Sequence, residues 1–207
     1  MVYDKNKFKS VSPIVATYSF QEVQSGTGFV NYFAFAGATN TNDVFEYHLT
    51  TQLPRSDEIE VQISTVAPGF KNFDLTPFKI ATTAGGQATV TLSFSYTETV
   101  GGQVAHLEID IIHYDGSNET VIGTDRVPNA TSTQEQNKTL VIDVTDTVFN
   151  IGDILRLKVK AIKTQGSGNP NYEVGIDPQN RDGTNLTPST EDRTTQLKLV
   201  MPFRIFA

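Results

Sequence analysis

The sequence predicts an all-β protein, an antiparallel β-sandwich of jelly-roll-like type. Three observations carry this. Apolar and polar residues alternate with a period of two along most of the chain, the pattern of strands with one face turned to a core. The alternating runs are short and separated by Gly-, Asn- and Asp-rich turns, the spacing of sandwiches and barrels. No segment shows the 3.6-residue periodicity of an amphipathic helix.

Taken in order, Phe29 to Ala36 is more uniformly apolar than the other runs, with Asn31 its one polar residue, so a strand there would be covered on both faces. Phe45, Tyr47 and Leu49 alternate with polar residues, as do Ile59, Val61 and Ile63. The most regular run is Ala88 to Thr97, where Ala88, Val90, Leu92, Phe94 and Tyr96 share one side and only Thr and Ser occupy the other. A helix would spread those apolar residues around its circumference, whereas a strand places them on one face. Leu107, Ile109 and Ile111 follow, then Leu140, Ile142 and Val144, then Leu155, Leu157, Val159 and Ala161, and last Leu197 to Ile205. Asp115-Gly116-Ser117-Asn118 is a tight hairpin connection, because Asp-Gly accepts positive φ. Gly85-Gly86 and Gly101-Gly102 read as reversals, and Asn150-Ile151-Gly152-Asp153 as a break before the next strand. The count is eleven or twelve strands, with no repeat of fixed period. Residues 13–207 are expected to form one domain, best defined over 87–207, with residues 1–12 as an arm. The alternative is a small subdomain over 13–80, joined through Ala81 to Gly86.

A chain of 207 residues is long enough to bury a self-sufficient core. It has no cysteine, which excludes disulfides, thiolate metal sites and cysteine nucleophiles. The net charge of −7 opposes nonspecific nucleic-acid binding. The one basic stretch is Lys5-Asn6-Lys7-Phe8-Lys9, either a solvated terminus or an arm that docks on an acidic neighbour. No apolar run approaches a membrane helix, and the start of the chain lacks the layout of a cleaved signal peptide. Neither nucleic acid nor membrane is expected as a partner.

Candidate chemistry is sparse. The three histidines are His48, His106 and His113. His106 and His113 are seven apart in one strand pattern, which puts them on opposite faces. No G-x-S-x-G elbow or phosphate-binding glycine motif is present. Glu108 and Asp110 share a strand face and could form a carboxylate pair of glycosidase type, but a polar solvent face is the commoner meaning. In Asp177-Pro178-Gln179-Asn180-Arg181-Asp182-Gly183-Thr184, the oxygens of Asp177, Asn180 and Asp182 could gather around calcium. The alternative is an Asx-turn in which Asp177 caps backbone amides and Arg181 pairs with a carboxylate. No other cofactor and no catalytic residue is expected.

The chain runs in order through Tyr18-Ser19-Phe20, Gly26-Thr27-Gly28, Phe73 to Phe78, Phe149 to Leu157, Asp177 to Thr184, and Thr195 to Ile205. This order of segments resembles small virion structural proteins of bacteriophage-like viruses, of the jelly-roll or decoration type. The resemblance implies a non-enzymatic capsid decoration, auxiliary or minor shell protein. Such a protein would be homo-oligomeric, located in the virion, and held to other capsid proteins through sheet edges and the arm. The other expectations are an extracellular carbohydrate- or surface-binding module and a filament or surface-layer subunit.

Overall fold

The computed structural model describes residues 27–38, 45–67, 69–97, 102–130, 136–179, 181 and 195–204. Within them the alternating runs become eleven strands. These are β1 (Thr27–Ala38), β2 (Phe45–Thr50), β3 (Glu60–Ser64), β4 (Phe70–Leu75), β5 (Thr82–Thr97), β6 (Val104–Tyr114), β7 (Glu119–Ala130), β8 (Gln136–Phe149), β9 (Ile154–Gln165), β10 (Asn171–Gly175) and β11 (Lys198–Arg204). The expected N-terminal arm and the segment 182–194 lie outside the described residues.

The strands join in one large, mostly antiparallel sheet, ordered β3-β10-β5-β11-β1-β2-β4-β9-β6-β7, with β8 also paired to β5. The sixteen residues of β5 organise it. β8 follows β5 from Thr82 to Phe94, β11 pairs with it between Ala84 and Thr91, and β10 takes over at Phe94. Among the described residues the one parallel contact, β2 with β4, is two residue pairs long, His48↔Asp74 and Leu49↔Leu75. β7 and β8 are remote in the sheet order yet meet at Gly123, where a Cβ would stand 2.9 Å from Ile142 Cγ2 and 3.1 Å from Asp143 O. The sheet thus turns over on itself, consistent with the β-sandwich expected, and encloses a single core.

The expected inward residues fill that core. Val90, Leu92, Phe94, Leu107, Ile109, Ile111, Leu157, Val159, Leu199 and Met201 have no exposed surface. Each large side chain contributes about 1.5–3 kcal/mol by leaving water. Tyr96 and Tyr172 bury their rings 5.1 Å apart and donate their hydroxyls to the carbonyls of Gln103 and Ala105, so neither polar end is wasted. The Asp115-Gly116 hairpin forms as read. Gly116 has φ 93°, and the Asp115 carboxylate accepts from the amides of Ser117 and Asn118.

Two readings are corrected. Gly85-Gly86 is not a reversal, because β5 runs through it and two β8 residues face one β5 residue there, in a bulge. Gly86 supplies φ 117°, and Gly85 leaves room for the Asp146 side chain. Glycine permits a bulge as readily as a turn. The Thr/Ser side of β5 is also not a solvent face at its far end. Ser93 and Ser95 are buried, and Ser93 donates to Asn137 Oδ1.

Candidate functional site

The candidate site lies at one end of the sandwich, where β6 finishes and β9 begins. β6 pairs with β9 so that His113 faces Leu155 and Tyr114 faces Ile154. This register carries the His113 ring to Asp153, the residue just before β9. His113 Nε2 and Asp153 Oδ2 are 2.7 Å apart, with both side chains largely covered.

Local sequence fixes both partners. Gly152 adopts φ 97°, closing the Asn150–Asp153 turn, and the Asp153 amide donates to Asn150 O at 3.1 Å. The Asn150 amide donates back to Asp153 Oδ2 at 2.8 Å. Phe78 exchanges two backbone bonds of 2.9 Å with Gly152 and Asp153. Phe149 meets the imidazole edge-on at 4.7 Å, and Phe78 backs Phe149 at 5.0 Å. The bond from the Asn150 amide holds the Asp153 carboxyl below the usual carboxylate range. Burial opposes it, and the bond with His113 adds to it.

An ionised Asp153 orients the imidazole and favours a proton on Nε2, leaving Nδ1 as the basic nitrogen. Such a pair can take up a proton and return it. The sequence reading missed it because the partners are 40 residues apart and meet only through the β6–β9 register. The usable signal was a histidine at a strand end and an aspartate in a glycine turn.

The other candidates fall elsewhere. His106 lies on the opposite face of β6 from His113, as the spacing requires. His48 sits against Phe35 and 3.6 Å from Glu46. Glu108 and Asp110 do share a face, but both bind the Lys160 ammonium, and Asp110 also accepts from Thr124 at 2.7 Å. Asp110 is buried, so that pair is a covered ion cluster rather than a solvated face.

Asp177 is fully buried, and its carboxylate accepts from the Gln179 and Arg181 amides and from the Arg181 guanidinium at 2.8 Å. Arg181 also donates to Ser56 O. These are the contacts of the Asx-turn alternative. Asn180 and Asp182 lie outside the described residues. Among the described residues no group of three His, Asp or Glu side chains is placed to hold a metal ion.

No protein-family model and no curated protein matches the chain. Solved structures do share its fold. An α-amino acid ester hydrolase is similar with a TM-score of 0.61 at 11% identity, over 84% of this chain and 36% of that one. An aminopeptidase from a marine sediment archaeon, Thaumarchaeota archaeon, is similar with a TM-score of 0.58 at 8% identity, again over 84% and 36%. The chain therefore spans about a third of the length of these hydrolases. The VP2 subviral particle of infectious bursal disease virus resembles it only weakly, with a TM-score of 0.28 at 11% identity over 93% of this chain and 59% of that one.

These similarities correct the functional expectation. The resemblance to virion proteins survives only as a weak likeness to a viral capsid protein, with nothing specific to bacteriophages. The ester hydrolase and the aminopeptidase, which share the fold at TM-scores above 0.5, are both hydrolases, so the expectation of a non-enzymatic virion component is withdrawn. At 8–11% identity the likeness establishes the fold alone, and fold does not by itself assign chemistry.

Proposed function

We propose that this chain is the β-sandwich part of a hydrolytic enzyme acting on α-amino acid esters or peptide bonds. The observation that carries the reading is the extent of the match. Most of this chain corresponds to about a third of an α-amino acid ester hydrolase and of an aminopeptidase. In such an enzyme the remaining chain, or a second protein, supplies the nucleophile. The contribution of this chain is the sandwich with the His113–Asp153 pair at its end.

The test is hydrolysis by the native assembly. Material containing this chain is isolated without denaturation and sized. It is then assayed with an aminoacyl p-nitrophenyl ester and an aminoacyl p-nitroanilide. The expected result is turnover of at least one substrate, co-eluting with the chain at a mass well above 22.7 kDa. A chain that elutes at its own mass and turns over neither substrate would overturn the proposal.

A further inference from the structure

His106 is a buried histidine that the candidate site does not use. It is 6% exposed, and its Nδ1 is buried with no hydrogen-bond partner. Both ladders beside it are interrupted. On the β7 side Ala105 pairs with Ala130 and Leu107 with Val127, so Pro128 and Asn129 together oppose His106. Pro128 has no N–H to give to the ladder. On the β9 side the register shifts between Val104 and Ala105, and His106 itself faces Ile162.

The charged groups around the ring make it a poor place for a proton. Arg126 approaches from β7, and Glu108 stands two residues along β6 itself. Lys160 lies two residues along β9 from Ile162, facing Glu108, and is bound to Glu108 and Asp110. The nearest carboxylate is therefore already engaged. Burial lowers the His106 imidazole from its ordinary value and Arg126 lowers it further, while Glu108 opposes them.

From the unpartnered buried ring, the doubly interrupted register and the adjacent Arg126, we infer that His106 makes β7 an acid-releasable edge: a proton on this ring frees β7 from β6 while the rest of the sandwich stays folded. β7 is the last strand in the sheet order. It is held by the ladder to β6, by the close approach of Gly123 to Ile142 and by the Glu119 carboxylate bound to Arg156 and Lys158 of β9, so one backbone ladder has to open. Edge elements open locally at a fraction of the global cost. The sign follows from linkage. A histidine that is harder to protonate folded than unfolded takes up its proton on opening, so the attachment of β7 is strongest above the ordinary histidine value. It weakens as pH falls from that value towards the lower folded one.

Hydrogen exchange tests this on the intact chain, at pH about 7 and about 5.5, on either side of the ordinary histidine value, with rates corrected for intrinsic exchange. Protection of β7 amides is expected to fall roughly tenfold at the lower pH, while β5 and β11 stay protected. His106→Gln, which has no titrating group, should abolish the pH dependence, and His106→Phe should do the same should the glutamine not fold. Unchanged β7 protection in the wild type overturns the inference, as does an equal fall in a folded variant. Should neither variant fold, the wild-type pattern decides. Loss confined to β7 supports the inference, and loss spread evenly over all strands contradicts it.

Discussion

Along β9, Leu155, Leu157, Val159 and Ala161 point into the core, while Arg156, Lys158 and Lys160 leave the same backbone on the other side. In sequence this is the plainest form of one buried face and one wet face. In the structure both faces are covered. The Arg156 and Lys158 side chains keep only 13% of their surface exposed.

What covers them is charge drawn from the flanking strands. Arg156 grips Asp74 of β4 through two bonds of 2.6 Å and also binds Glu119 of β7. Its guanidinium lies 4.3 Å from the centroid of the Tyr114 ring. Lys158 binds Glu119 and lies 5.0 Å from the Phe70 ring, and Lys160 joins Glu108 to Asp110. The bonds to Asp74 hold the Arg156 guanidinium even further above neutrality than usual, against burial. The inner face is stabilised by area alone and accepts any apolar side chain of the right volume. The outer face is stable only while each ion keeps its partner.

That difference sets the order of expected damage. Val159→Asp puts an unpaired charge into the core, and the loss should exceed about 4 kcal/mol; circular dichroism should show no folded state. Arg156→Met keeps the apolar stem but leaves Asp74 without its guanidinium. Because Asp74 is about a third exposed, the cost should be about 2 kcal/mol, a fall in melting temperature of about 4–8 °C. Lys158→Met should cost less, about 1 kcal/mol or under, since Glu119 keeps Arg156. If the lysine variant proved the more damaging, the aromatic contact with Phe70 would matter more than the ion pair.

Acid separates the faces without mutation. Glu119 is held below the usual range by Lys158, and Arg156 assists while burial opposes; Asp177 is also held below that range, burial opposing and Arg181 prevailing. Groups lowered by folding stabilise above their ordinary values and lose that contribution as pH falls through the folded ones. Unfolding free energy should therefore drop steeply below pH about 4. Glu173 runs the other way. Burial raises its carboxyl, so Glu173→Gln should raise stability at neutral pH. The smallest effect expected is that of EDTA. The Asp177 carboxylate already accepts from Arg181, so a chelator should barely move the melting temperature. A shift of about 10 °C, abolished by Asp182→Ala, would make the loop a calcium site.

The inner half of this comparison was legible in the sequence and the outer half was not. Alternation over Ala88–Tyr96 and Leu155–Ala161 names inward residues because side-chain direction follows from strand geometry alone. The Asp115-Gly116 hairpin was legible because its turn chemistry is local. Whether the opposite face meets water depends on what lies across it. Ser93 is buried beside Asn137, 44 residues away, and Arg156 beside Asp74, 82 residues away. The same distance hid the His113–Asp153 pair. Gly85-Gly86 misled for another reason: two glycines state that the backbone departs from the ordinary, without stating which way.

The most direct test of the claim that pairing rather than polarity secures the outer face is a double-mutant cycle on Arg156→Met and Asp74→Asn, followed by urea unfolding. Pairing predicts that the two losses are strongly non-additive, with a coupling of about 1–3 kcal/mol. Additive losses, with a coupling within about 0.3 kcal/mol of zero, would show the two ions to be independent surface groups and would contradict the account.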